Sequence, residues 1–340
     1  MDISNYWDDF AERVALTQDA LSNGGMPSLK RLTVHLTQGC NLNCSYCNMC
    51  LKKAEMPIQL AKKIIDEFSE MGGSIIHFTG GEPTIVPYFE DVCQYARRAG
   101  LQVSSNTNAV KKISVKNIDK LKASFDTCDR DTFNAMVNGE FFDQVVENLK
   151  CYSKKMQGKM LSITAVLNRS TYPHMLELAQ FCHDNFKLYH LYFSNYKGND
   201  PEFAFTDEEI DDMFSVHIPE VVDFFTRTGQ MYSAKQLDLY SKRCFVDGER
   251  FPENYTTPCY IQLSELSIDV FGNCFDCSHL YRDGVEGSGF NVATDSLVEC
   301  FEKAKVALKS GYFFMSEKCL TGCNPNLIGF NKAVQNSILG

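Results

Sequence analysis

From residue 30 to residue 196 the chain alternates short runs of apolar-polar period two with longer stretches of helical period. The short runs predict strands over 30–38, 74–78, 101–107, 120–126, 160–168 and 188–196. The stretches between them predict helices over 57–71, 87–99, 115–118, 129–155 (interrupted at Gly139) and 173–185. Strand-helix-strand units of this length imply a parallel sheet with right-handed crossovers. Six units suit an α/β fold of the partial (β/α)6 TIM type better than a closed eight. A polar leader of helical character, 2–22, stands ahead of a Gly24-Gly25-Met26-Pro27 break.

The strands do not read as the continuous apolar runs expected of parallel strands covered on both faces. Alternate positions are polar: Thr33, His35 and Thr37; His77 and Thr79; Gln102, Ser104 and Asn106; Lys122, Ser124 and Asp126; Ser162 and Thr164; His190, Tyr192 and Ser194. The intervening Leu32, Val34, Leu36, Val103, Phe125, Ile163 and Ala165 can then meet the helices while the polar set faces a wet interior. A single position such as His77 or Ser104 is best read as satisfied by a neighbour. The stripe as a whole suggests water and a polar ligand.

Beyond Gly198 the pattern changes to acidic helical segments, 207–214 and 220–227, and then to a cysteine-bearing region. There 266–277 reads as a β-hairpin with Phe271-Gly272-Asn273 at its turn, followed by a helix over 296–309. The expected organisation is a helical leader (1–29), a barrel (30–198), a helical connector (199–258) and a small α+β domain (259–340).

Charge and composition narrow the function. With 33 Lys and Arg against 43 Asp and Glu the net charge is −10, and no basic patch is large enough to track a phosphate backbone. Nucleic acid is therefore not the expected partner. The N-terminus has no basic-then-apolar segment, and no stretch approaches the roughly twenty apolar residues of a membrane span. A cytoplasmic protein without membrane contact is expected. Fifteen cysteines then argue for metal ligation and buried thiols rather than disulfides.

Three of those cysteines, Cys40, Cys44 and Cys47, stand at C-x3-C-x2-C spacing just after the first strand. Three thiolates on one loop can hold three irons of a four-iron cluster, whose usual complement is four, and leave one iron open. A zinc site would instead use Cys50 as a fourth ligand. The second strand leads straight into Thr79-Gly80-Gly81-Glu82-Pro83.

These two motifs, in this order and each after a strand, resemble the radical S-adenosylmethionine (SAM) superfamily. The resemblance implies that the open iron chelates the amino and carboxylate groups of SAM. It also implies that the segment Gly80, Gly81, Glu82 and Pro83 receives the amino group and that Tyr46 lies near the adenine. Ribose and carboxylate contacts are expected from the ends of strands three to five. Ser124 and Asp126 look like the family's Ser-x-Asp strand end. Asn108 lies in Asn106-Thr107-Asn108-Ala109, similar to a Thr-Asn-Gly in which Ala109 replaces the glycine. Arg169, after Asn168, is a SAM-carboxylate contact or a solvent-exposed arginine.

Gly272-x4-Cys277, after an upstream cysteine and before a later pair, resembles the twitch auxiliary-cluster module, the half-sized relative of the SPASM domain. The ligands implied are Cys259, Cys277, Cys319 and Cys323, with Cys274 the alternative to Cys277, and the cofactor one auxiliary [4Fe-4S] cluster. A zinc ribbon on Cys274, Cys277, Cys319 and Cys323 fits the spacing equally. Cys93, Cys151, Cys182 and Cys300 fall in helical patterns and read as small buried hydrophobes. Among Cys50, Cys128 and Cys244, Cys244 is the first candidate for a hydrogen-atom donor, a structural thiol being the other reading.

The resemblance implies reductive cleavage of SAM to a 5′-deoxyadenosyl radical, hydrogen abstraction from substrate, and a flavodoxin- or ferredoxin-type electron donor. Oxidation would follow if the second cluster takes the electron, epimerisation if a cysteine returns a hydrogen atom. The GTP cyclases of the superfamily end in a double glycine and have a basic triphosphate pocket, neither of which is evident here. Peptide-modifying members usually carry an added leader-binding domain, and only about thirty residues precede the first strand here, fewer than a typical domain. A small polar substrate, a sugar or aminocyclitol, is therefore expected first and a ribosomal peptide second. A non-catalytic zinc or redox protein is the alternative of another class.

Overall fold

The computed structural model describes residues 4–22, 28–47, 53–196, 200–238, 240, 242, 245, 259–275, 277, 288–302 and 330–336. Cys50, Cys244, Cys319 and Cys323, and with them the ligand and hydrogen-donor assignments they carry, lie outside these residues. The elements follow in the order α1 (Ser4–Ser22), β1 (Arg31–Thr37), α2 (Ile58–Glu70), β2 (Ile75–Gly80), α3 (Phe89–Arg98), β3 (Gln102–Thr107) and β4 (Lys120–Ser124). Next come α4 (Arg130–Val137), α5 (Phe142–Lys155), β5 (Met160–Leu167), α6 (Met175–Asn185) and β6 (His190–Asn195). The last are α7 (Asp207–Asp212), α8 (Ile218–Arg227), α9 (Met231–Asp238), β7 (Glu265–Ile268) and β8 (Cys274–Phe275).

Two compact units share these elements. The first comprises 40–49 and 106–253, the second 2–39, 50–105 and 254–340. In the first, β4, β5 and β6 are parallel, with Lys122 opposite Ser162 and Ser162 opposite His190. In the second, β2 lies between β1 and β3, all parallel, and β7 adds to the free side of β1 in parallel register. The result is a mixed α/β fold with a parallel sheet of partial-barrel type. Neither run of strands closes on itself among the described residues.

Period and packing agree in both units. In α2 the stripe Ala61, Ile64, Ile65 and Phe68 is buried, and in α3 the stripe Phe89, Val92, Cys93 and Ala96. Glu90 and Asp91 open α3 and Arg97 and Arg98 close it, each matched in sign to its end of the helix dipole. In the first unit Phe125 packs among Phe133, Phe142, Phe181 and Phe186, so its neighbours Ser124 and Asp126 point away from that helical layer.

The expected break at Gly139 separates α4 from α5, where Asn138 closes α4 in a left-handed conformation. The expected helix over 115–118 is instead a turn. Ile118 N closes it on Val115 O (3.3 Å), and the carbonyls of Val115, Lys116 and Ile118 accept from the Lys159 ammonium. The hairpin expected near residue 272 forms between β7 and β8, with the Asp269 carboxylate accepting from Phe271 N (2.9 Å) and Asn273 N (2.8 Å).

The polar stripe pairs internally at several points: His77 Nδ1 lies 2.9 Å from Ser104 Oγ, and Ser162 Oγ 3.0 Å from His190 Nδ1. Lys122 and Ser124 are exposed.

Candidate functional site

The loop bearing Cys40, Cys44 and Cys47 is tied to its own unit at four points. Asn108 Nδ2, after β3, donates to Asn41 Oδ1 (2.8 Å) and lies 3.8 Å from Cys40 Sγ. Asn138 Nδ2 donates to Asn43 O (2.6 Å), and Ser45 N to Met136 O (2.9 Å) at the end of α4. Tyr46 donates its hydroxyl to Asp126 Oδ2 beyond β4, and its ring meets Phe203 edge to face. A turn closed by Cys47 N on Cys44 O (3.1 Å) presents the last two thiols, and Leu42 N donates to Cys40 Sγ (3.4 Å).

Burial, and after it the charges of Asp126, Cys47 and Cys40, pushes the Cys44 thiol up to about 12. The three sulfurs therefore feel one another across the loop, and a bound cation would reverse that balance in favour of thiolates. No three His, Cys, Asp or Glu side chains among the described residues converge on a point suited to a single metal ion.

The glycine segment belongs to the second unit. Gly81 N donates to Thr37 O and Glu82 N to Gly39 O, both 2.8 Å, which continues the pairing with β1 to the residue preceding Cys40. Gly80 sits at φ +144°, where only glycine is at ease, and a Cβ there would run into Thr37 O. A Cβ on Gly81 would meet Gly39 O. Glu82 is buried, and its Oε1 accepts from Thr84 N (3.2 Å) and Thr84 Oγ1 (2.5 Å), capping the single 3-10 turn Pro83–Ile85. Both glycines are thus required by the close approach of the main chain at Thr37 and Gly39.

At the strand ends the expected residues fare differently. Ser124 is exposed at the end of β4. Asp126 is buried, its Oδ1 accepting from Val166 N (2.8 Å) and its Oδ2 from Tyr46. Arg169 is exposed and tied to Glu209 Oε1 (2.9 Å) and Pro201 O (3.3 Å). Ala109 does what the glycine would: it adopts φ +59°, with Asn148 Nδ2 holding its carbonyl at 2.8 Å.

Residues 34–182 match the model of the radical SAM superfamily. The chain carries a radical SAM domain. Its relatives include the AdoMet-dependent heme synthase of Methanosarcina barkeri, 32% identical over 28% of this chain and 31% of the synthase. Another is the GTP 3′,8-cyclase of Mycobacterium marinum, 28% identical over 51% of this chain and 53% of the cyclase. The chain thus spans about half the length of these curated relatives or less. Among solved structures, Streptococcus suis SuiB bound to precursor peptide SuiA is similar over 92% of this chain and 75% of its own, at TM-score 0.64 and 18% identity. Native anSMEcpe with bound AdoMet and Cp18Cys peptide is similar over 91% of this chain and 97% of its own, at TM-score 0.60 and 17% identity. At such identities the likeness is one of fold. The match to residues 34–182, under half of the chain, implies SAM and a [4Fe-4S] cluster for that domain, and its two sequence motifs follow β1 and β2 at strand ends, where ligand sites of such barrels lie.

Outside the radical SAM domain, Cys259 and Cys277 are half-buried. Cys274 is fully buried in β8 beside Cys300, and that contact together with burial raises its thiol well above the usual range. Cys93 and Cys182 are buried in α3 and α6 as expected, and Cys151 and Cys128 are half-buried. Nothing in the sequence singles out Asn138, Met136 or Asn148, whose contacts depend on distant elements. Among the described residues no helix is long and apolar enough to cross a membrane.

Proposed function

We propose that this protein is a radical SAM enzyme acting on a small polar substrate, a sugar, aminocyclitol or similar intermediate, with one auxiliary [4Fe-4S] cluster. The observation that carries the reading is the three-thiol loop, fixed at four points yet offering only three sulfurs among the described residues. Cys40, Cys44 and Cys47 would hold three irons; Gly80, Gly81, Glu82 and Pro83 would cradle the amino group of SAM, with Ser124 toward its ribose. When bound, the reduced cluster and SAM supply a 5′-deoxyadenosyl radical that removes a hydrogen atom from substrate. Asn108, beside Cys40 Sγ, would tune the cluster, since hydrogen bonds to ligand sulfur raise its potential. Arg169, held by Glu209, would reach the SAM carboxylate only by leaving that partner.

The substrate class is supported by the face of β4–β6 turned away from the helices. Ser124 stands opposite Thr164, and Thr164 opposite Tyr192. Thr164 Oγ1 is buried without a protein partner, and Lys122 Nζ lies 5.5 Å from the centre of the Tyr192 ring. Burial, and after it the neighbouring Lys122, pushes His190 down to about 3, so its imidazole is neutral. Hydroxyls, a neutral imidazole and one ammonium suit a hydroxyl-rich ligand. A peptide substrate is the second reading, favoured by the fold shared with SuiB and anSMEcpe, whose structures hold peptides.

Cys259, Cys277, Cys319 and Cys323 are the proposed auxiliary ligands. The burial of Cys274 against Cys300 favours Cys277 over Cys274. Oxygen-free reconstitution with iron and sulfide should give about eight irons per chain, four for each cluster. Reduction with SAM present should then release 5′-deoxyadenosine. Four irons with 5′-deoxyadenosine would remove the auxiliary cluster alone, and colourless protein holding zinc would contradict the whole reading. Solvent deuterium in the product would mark epimerisation, its absence dehydrogenation, and Cys244→Ala should stop only the former.

A further inference from the structure

Four tethers hold the cysteine loop, and one of them differs in kind. Asn108 and Asn138 bind at Asn41 and Asn43, ahead of Cys44, and Ser45, which shares the Cys44–Cys47 turn with Tyr46, donates its N and its hydroxyl to the Met136 carbonyl. Tyr46 stands inside the turn that separates Cys44 from Cys47, and its hydroxyl is bound to a carboxylate that is only 5% exposed. That carboxylate is itself fixed from the other side, because Val166 N, at the end of β5, donates to Asp126 Oδ1 at 2.8 Å. The turn is therefore joined through one side chain to two neighbouring strands.

The arrangement bears on a role that the family resemblance gives to Asp126. A ribose contact needs a carboxylate oxygen presented to ligand; here each oxygen already accepts one protein hydrogen bond, and although each keeps a further lone pair, the group is only 5% exposed. A buried carboxylate without partners is costly, so exchanging the Tyr46 hydroxyl for a ribose hydroxyl would gain little while freeing the turn. Ser124, two residues earlier and exposed, has no such commitment to the loop.

We infer that Tyr46 and Asp126 form a latch that sets the spacing of Cys44 and Cys47, with Asp126 a positioning residue of the cluster loop and not a ribose ligand. The inference rests on the radical SAM reading. It makes the aromatic residue of the motif a two-sided element, its ring against Phe203 and its hydroxyl on β4, so that phenylalanine would keep one function and lose the other.

The test uses the reconstituted holoenzyme with Tyr46→Phe, Asp126→Ala and the double variant. Three quantities are measured: the rate at which an iron chelator strips the reduced cluster, its electron paramagnetic resonance g-values, and the Kd for SAM. The latch predicts about tenfold faster stripping in Tyr46→Phe, as expected for one lost hydrogen bond to a charged group. It predicts shifted g-values, a SAM Kd within about twofold of wild type, and no further acceleration when Tyr46→Phe is added to Asp126→Ala, since the two act as one unit. Unchanged stripping and g-values in Tyr46→Phe would overturn the latch, and this variant decides even if Asp126→Ala does not fold. A tenfold rise in SAM Kd confined to Asp126→Ala would return that residue to the ribose. Wild-type protein with no chelatable cluster would instead contradict the radical SAM reading itself.

Discussion

Cys40→Ala, Cys44→Ala and Cys47→Ala are each expected to abolish 5′-deoxyadenosine formation and to lose the iron of the first cluster while the protein stays folded. All three thiols sit on a partly exposed loop, so truncation removes little packing and should cost well under about 1 kcal/mol. The chemical loss is total, because a cubane held by three thiolates cannot forfeit one and remain seated. Cys93→Ala and Cys182→Ala are the controls. These thiols are buried in α3 and α6, and their truncation should cost stability through packing while leaving the first cluster's absorbance and iron intact. Absorbance near the charge-transfer bands, iron per chain and thermal melting separate the two outcomes.

Gly80→Ala and Gly81→Ala are expected to have the largest effect on the fold and, through it, on SAM binding. Each added methyl would enter the space of a backbone carbonyl, Thr37 O or Gly39 O, and neither carbonyl can move without breaking the hydrogen bonds from Gly81 N and Glu82 N. At Gly80 the conformation, φ +144°, adds strain for any L side chain. Strain and overpacking together should cost roughly 3 kcal/mol or more, a fall in Tm of about 4 °C for a chain of 340 residues. Because the segment is tied to the residue before Cys40, the surviving folded fraction should bind SAM at least tenfold more weakly, roughly one lost hydrogen bond to a charged group. Gly72→Ala is the comparison: that glycine also has a positive φ, +73°, but open space around it, so its substitution should show strain without loss of SAM affinity.

Much of this was legible in the chain because alternation and motif both act locally. Leu32, Val34 and Leu36 alternate on β1 with Thr33, His35 and Thr37, and all six are buried, so the polar positions of this strand are enclosed rather than exposed. Asp129 caps α4 through Thr132 N, and Phe271-Gly272-Asn273 turns the hairpin. What escaped is long-range. That β7 pairs with β1 joins residues more than two hundred apart and leaves no local trace beyond an apolar run. The short helix expected over 115–118 is a turn whose carbonyls accept from Lys159, about forty residues on. Tyr46 and Asp126 each stood out in the sequence, but only the fold brings one onto the other.

The central claim is that three protein sulfurs leave one iron for SAM. Electron-nuclear double resonance on the reduced, oxygen-free protein with SAM labelled by ¹⁵N in its amino group tests it most directly. Coupling between that nitrogen and the cluster is the predicted result. A signal unchanged by the labelled compound, or a fourth iron found on Cys50, would contradict it.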